Sequence, residues 1–344
     1  MAIIDKPSDY FNTKLYSGNS STQSITGVGF QPDFVWIKKR SATAYHYLMD
    51  SIRGTGKQLY SNVTNAEETN VNALTSYDSD GFSLGSEGDV NASSTTYASW
   101  NWKAGGTASS NTSGSITSNV SASTTSGFSI VSYTGTGSAA TIGHGLGVAP
   151  KFMIVKTIDA ARDWTVYHGG ISNMASGYII LNATDAFSTA FSTIWNNTDP
   201  TSSVFSVGTA NTSNNLNSNY IAYCFAEKQG FSKFGSYEGN NTTDNAFIYT
   251  GFKPAWVMVK NVDAAYGWQI LDNKRNTYNP ADDSLFANLI NAEDVTTGDD
   301  IDFLSNGFKV REGGNSVGDN YTYIYMAFAE NPLVGTNNIP ATAR

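Results

Sequence analysis

The sequence predicts an all-β protein built from three tandem, homologous β-sandwich units, jelly-roll-like and about 100 residues each, the size of a common independent domain. A ten-residue motif is written three times: Gly29-Phe30-Gln31-Pro32-Asp33-Phe34-Val35-Trp36-Ile37-Lys38, Gly147-Val148-Ala149-Pro150-Lys151-Phe152-Met153-Ile154-Val155-Lys156 and Gly251-Phe252-Lys253-Pro254-Ala255-Trp256-Val257-Met258-Val259-Lys260. Landmarks recur at fixed offsets from it: 14 residues after each proline lie His46, Trp164 and Trp268, and 18 after lie Asp50, His168 and Asp272. Composition agrees, because Ser, Thr, Asn and Gly separate short aromatic runs. Charged residues make up 14% of the 344-residue chain, against about 25% in an average domain.

Within the motif, proline fixes its own backbone angle and biases the residue before it towards an extended shape, so Pro32, Pro150 and Pro254 each read as a turn feeding a strand. The run that follows is apolar at successive positions, which suits a strand covered on both faces. A later strand opens at Phe82, Phe205 and Phe308. Fifteen residues beyond each comes Tyr97, Tyr220 or Tyr323, and five further on Trp102, Phe225 or Phe328. The constant spacing predicts that the two closing strands of each unit pair, and the prolines, phenylalanines and tyrosines are the expected core landmarks.

In chain order, residues 1–106 form the first sandwich, opening at Tyr10-Phe11-Asn12 and closing at Trp100-Asn101-Trp102. Residues 107–127 are almost wholly Ser, Thr, Gly, Asn and Ala, and read as a linker: such a tract buries too little apolar surface to offset its ordering entropy. It is expected to act as a hinge or an inter-subunit strap. Residues 128–230 form the second sandwich and 231–334 the third, joined without a linker and so expected to move as one body. Residues 335–344 read as a polar arm.

A net charge of -9 argues against a nucleic-acid footprint, which needs clustered Lys and Arg. No apolar stretch approaches the ~20 residues of a membrane span, and the start lacks the build of a secretion signal, so no membrane insertion is expected. The single cysteine, Cys224, lies in an apolar run and reads as a small buried hydrophobe.

Catalytic sets are not visible. His46 and His168 stand where other copies carry Trp or Asp, and no motif context for a Ser-His-Asp triad surrounds them or His144. Asp282-Asp283 and Asp299-Asp300-Ile301-Asp302 read as solvated turns rather than glycosidase acids. Asp78-Ser79-Asp80-Gly81 reads as a hairpin turn rather than a calcium loop. The Gly-rich passages at 135–137 and 143–147 precede Pro150 instead of a helix, so they are turns and not phosphate cradles. No enzyme activity, cofactor or metal is expected. Recognition by surface remains, with Tyr45, Tyr47, Trp195, Tyr266, Trp268 and Tyr278 as candidate aromatics, because flat rings stack on sugars and anchor protein contacts.

Several passages resemble a repeated module of virion structural proteins from marine tailed bacteriophages, cyanophages included: Phe34-Val35-Trp36-Ile37-Lys38, Tyr47-Leu48-Met49-Asp50-Ser51-Ile52-Arg53-Gly54, Ser79-Asp80-Gly81-Phe82-Ser83-Leu84-Gly85 and Trp100-Asn101-Trp102-Lys103-Ala104-Gly105-Gly106. The ending Glu330-Asn331-Pro332-Leu333-Val334 with Ile339-Pro340-Ala341-Thr342-Ala343-Arg344 is similar to the tails of the same proteins. The resemblance implies a non-enzymatic protein on the particle surface, on tail or capsid, serving as a tail fibre or in host-surface attachment. Capsid decoration is the second expectation and a polysaccharide-degrading enzyme a remote third. The implied partners are other virion proteins, further copies of the same chain as a homotrimer, and a host surface glycan or protein.

Overall fold

The aromatic and β-branched side chains around the three motifs set the architecture less by propensity than by which face each strand must cover, and the computed structural model shows antiparallel sheets throughout. It describes residues 3–295, 298–314, 316–335 and 340–342. Among these, the α-helical segments are the single turns Gly88–Asn91 and Asn211–Asn214.

The sheets come in pairs. The first large sheet runs in the order Phe11–Ser17, Thr96–Trp102, Phe34–Lys39, Tyr47–Asp50, Lys57–Tyr60, Glu68–Thr69, and faces a small sheet of Gln23–Thr26, Gly81–Leu84 and Leu74–Asp78. The third large sheet repeats that order with Ser232–Glu238, Thr322–Pro332, Phe252–Asn261, Trp268–Asp272, Asp283–Phe286 and Asp294–Val295. In the second, Phe128–Thr134, Asn219–Phe225, Phe152–Thr157, Thr165–His168 and Ile179–Ile180 follow the same order. Register repeats as well. Ile25 opposes Phe82, Ile142 opposes Phe205 and Ile248 opposes Phe308. Tyr97, Tyr220 and Tyr323 each stack on a tyrosine of the neighbouring strand, Tyr16, Tyr133 and Tyr237, at 5.0, 5.1 and 5.1 Å between ring centroids.

Each motif strand is buried on both faces because it serves two cores. Val35 and Ile37 point into the core between the first pair of sheets, with Phe82 and Tyr97. Phe34 and Trp36 point the other way, into one central core that also takes Phe152 and Ile154 from the second large sheet and Trp256 and Met258 from the third. Trp102, Phe225 and Phe328 meet there: centroids are 6.3, 5.9 and 5.6 Å apart around the triangle. Burying each such side chain contributes roughly 1.5–3 kcal/mol, so the three sheet pairs share a core instead of standing as separate beads.

Four sequence expectations are corrected. The tract 107–127 is not a free linker: Ser109–Asn111 and Ser118–Ser123 extend the second large sheet to seven strands, next to Phe128–Thr134. Its two apolar residues, Ile116 and Val120, are buried, and its hydroxyls satisfy backbone groups, Ser121 Oγ accepting from the Gly105 N–H and Ser118 Oγ donating to the Gly143 carbonyl. A composition poor in apolar side chains suffices because backbone pairing to an existing edge, not side-chain burial, orders it. The first unit therefore has no swinging hinge beside a rigid second and third.

The strands opening at Phe82, Phe205 and Phe308 do not pair with those holding Tyr97, Tyr220 and Tyr323. They lie in different sheets, and the constant spacing belongs to a crossing that in the first two copies contains a single helical turn. Tyr97 Oη donates to the Gly88 carbonyl and Tyr220 Oη to that of Asn211, each at the start of that turn. At Pro254 the strand already began at Phe252, with register shifts on either side of the proline. Of the expected arm at 335–344, residues 336–339 and 343–344 lie outside the described residues, and Val334 bridges Pro340.

Candidate functional site

Residue types that carry chemistry in other proteins lie here at the joints between sheet pairs. Lys38, Lys156 and Lys260 end the three motifs and are almost fully buried. Each ammonium donates to a carbonyl of another sheet pair: Lys38 to Ile290 at 3.1 Å, Lys156 to Thr64 at 3.0 Å, Lys260 to Thr184 at 3.0 Å. Each also donates to the carbonyl of the next residue, Lys39, Thr157 or Asn261. Burial pulls all three lysines down to about 8, so they remain charged at pH 7.

The direction of these contacts is the same everywhere: first onto third, second onto first, third onto second. The indoles follow it, Trp164 Nε1 donating to the Tyr60 carbonyl and Trp268 Nε1 to that of Ile180, both at 2.9 Å. Backbone amides run both ways: those of Ala44 and Arg162 follow the lysines onto Ile290 and Thr64, while Glu67 to Ile158, Phe187 to Val262 and Glu293 to Arg40 run the other way. Head-to-tail contacts of one kind make a ring when the rotation closes, and three steps close this one.

A buried acid marks two of the joints. Asp50 Oδ2 is 2.5 Å from Arg53 Nε and accepts the Tyr223 hydroxyl of the second sheet pair at 2.8 Å. Asp272 Oδ2 is 2.5 Å from Arg275 Nε and accepts Trp100 Nε1 of the first at 3.1 Å. Glu67 and Glu293 complete these networks. At the third joint His168, Ile171 and Phe187 stand in the places of acid, arginine and glutamate. Gly170 N–H donates to His168 Nδ1, which leaves the proton on Nε2, and Nε2 donates to the Tyr325 carbonyl at 3.0 Å. Burial lowers this imidazole to about 4. His46 accepts Trp36 Nε1 on Nδ1 and burial lowers it too. Cys224 is buried and pushed up to about 12.

Of the expected recognition aromatics, Tyr47, Trp195 and Trp268 are buried and take part in packing, a correction that follows from three cores needing large rings. Tyr266 is half-buried. Tyr45 is 38% exposed and Tyr278 82%. The structure does not bring these six together. Tyr45 and Tyr47 instead flank Tyr60, each 4.9 Å from it between centroids, and the three rings plug the mouth of the first sheet pair.

That mouth is open in the second pair. Tyr47 opposes Tyr60, and at the same register Thr165 opposes Ile180, while Asp163 takes the place of Tyr45. The smaller side chains leave a groove of about 540 Å³, walled by the rings of Tyr178 and Phe191, 5.6 Å apart between centroids. Phe191 is exposed, and Asp163 Oδ1 accepts a hydrogen bond from Asn182 Nδ2 at 2.9 Å. In the third pair Phe286 refills the space against Gly267, where a Cβ would come within 2.7 Å of the ring. Sequence reading missed this groove; the available signal was the substitution of Tyr45, Tyr47 and Tyr60 by Asp163, Thr165 and Ile180 between repeats. Among the described residues, no group of three or more His, Cys, Asp or Glu side chains is placed to hold a metal ion, and no helix is long and apolar enough to cross a membrane.

Three pairs of antiparallel sheets packed around one aromatic core make this an all-β protein. Over residues 6–332 the chain matches the family described as Domain of unknown function (DUF7483), and it belongs to that family. No curated protein and no solved structure matches it.

Proposed function

We propose that this chain is a non-enzymatic structural protein of a tailed-phage particle, three copies of one sandwich module closed on themselves, whose task is tail-fibre or host-surface attachment. The observation that carries this reading is the use of the reactive side chains. The three motif lysines, His168, Asp50 and Asp272 all tie sheet pair to sheet pair. A chain that commits these buried acids, bases and cations to internal joints is built to hold shape. Its outward face carries hydroxyls, amides, a few exposed rings and an excess of carboxylates over cations, a composition for contact. Other virion proteins and further copies of the chain are its proposed partners, with a trimer the favoured self-assembly.

A closed pseudo-threefold block also suits capsid decoration at a threefold position, and copy number separates the two readings. Counting the protein against the major capsid protein in purified particles is expected to give on the order of tens of copies or fewer; hundreds would overturn the fibre reading in favour of decoration. Incubation with bacterial surface polysaccharide is expected to release no reducing sugar. Release abolished by Asp282→Asn or Asp299→Asn would overturn the non-enzymatic reading.

A further inference from the structure

We infer that the groove at the mouth of the second sheet pair is a binding site for one neutral pyranose of a surface glycan. The first argument is that the space is a specific opening in a repeated design. Three tyrosine rings fill the equivalent position in the first sheet pair and Phe286 fills it in the third. The second pair keeps the same backbone register with Thr165 opposite Ile180. A ring-shaped occupant is therefore what the surrounding backbone already accommodates.

The lining selects which ring. Tyr178 and Phe191 offer flat faces for the C–H side of a sugar, and Ile180 continues that apolar wall. Around them stand hydrogen-bonding groups at the rim, the carboxylates of Asp163 and Asp185 and the amide of Asn211. Hydroxyl groups arranged around an apolar ring face need this combination, whereas a purely aromatic guest would leave the polar rim unpaired. No Lys, Arg or His lines the groove. The two carboxylates face the groove while the cations they attract, Lys156 and Lys260, are buried outside its lining, so a neutral sugar is favoured over an acidic one.

The inference rests on the attachment reading only for its biological meaning, since binding can be measured on the isolated chain. Methyl-labelled full-length protein would be titrated with methyl glucoside, methyl galactoside, methyl mannoside and N-acetylglucosamine, with sialic acid as the anionic arm and Gly-Tyr as the peptide arm. At least one neutral sugar is expected to shift the Ile180, Ile194, Ala183 and Ala210 methyls with saturation in the millimolar range, and sialic acid to shift none. Phe191→Ala, at an exposed ring that leaves folding intact, should weaken binding about tenfold. Thr165→Tyr should close the groove as in the first sheet pair, with unfolding of the variant checked by its methyl spectrum. No shift of these methyls by any neutral sugar, an unchanged affinity in Phe191→Ala, or response to Gly-Tyr alone would each overturn the inference. A negative result here with particles that still carry the protein as a fibre would defeat the sugar site and leave the attachment reading standing.

Discussion

The joint around Asp272 and the joint around His168 occupy equivalent places in the ring and meet the same demand with opposite chemistry. At the first, a buried acid, Arg275 and Glu293 form a charged network that reaches Arg40 of the neighbouring sheet pair at 2.5 Å. At the second, the side chains of His168, Ile171 and Phe187 replace that network with one hydrogen bond between neutral groups and apolar packing. All three charges are exchanged together. Removing a single member of a buried network strands the others, while removing the whole set does not. The difference also explains the donor across the joint: Trp100 and Tyr223 donate to acids, but Met326 occupies their position beside His168 and cannot, so the imidazole donates to a backbone carbonyl instead.

The largest effect should come from breaking the charged joint. Asp272→Ala removes the closer of the two carboxylates that pair the buried Arg275 guanidinium and leaves Glu293 alone to compensate it, and denaturant unfolding is expected to show a loss of about 3 kcal/mol. His168→Ala should cost clearly less, because no charge is stranded. Equal losses would show that packing alone sets both joints.

Acid should act on the neutral joint next. His168 stays neutral in the folded chain down to about pH 4, whereas in the unfolded chain it gains a proton below its ordinary 6.5. The unfolded state then binds more protons between these values, so stability falls as pH drops through that window, by roughly 3 kcal/mol in all. His46 and His144 are lowered by burial in the same direction. Unfolding curves at stepped pH should therefore slope less in His168→Gln without becoming flat. An unaltered slope would remove His168 as an acid-sensitive point.

A smaller loss, about 1.5 kcal/mol, is expected for Tyr223→Phe, which deletes one hydrogen bond to a charged group while Arg53 still pairs Asp50. Chemical denaturation of the two proteins side by side measures it, and a loss matching Asp272→Ala would mean that Tyr223, not Arg53, holds the acid in place.

The smallest net change should follow the most drastic substitution. Asp50→His, Arg53→Ile and Glu67→Phe made together transplant the neutral set into the first joint, and the protein should stay folded within about 1–2 kcal/mol of the parent. Arg53→Ile alone should be worse than the triple variant. The reverse order would show that the neutral set works only beside the second sheet pair.

The sequence by itself determined the all-β class, the three motifs and the strand-forming stretches, because a proline turn before a double-sided apolar run is a local signal that needs no partner to be read. It also marked Trp102, Phe225 and Phe328 as equivalent, without indicating that they meet. Tertiary structure decided the rest. A run apolar on both faces says that two surfaces cover it, but not that one of them is a core shared by three sheet pairs. The Ser/Thr/Gly tract looks unable to order itself, and indeed it orders on an edge supplied by Phe128–Thr134. Lys38, Lys156 and Lys260 are visible in the sequence only as the last residue of each motif; ring closure brings the Ile290, Thr64 and Thr184 carbonyls to them. The open groove was decided in the same way, since whether Asp163 and Thr165 leave a space depends on what a neighbouring strand and the loop of Phe191 place around them. Local residue patterns fix which segments become strands, whereas joints and openings depend on groups far apart in the chain, whose meeting no short stretch encodes.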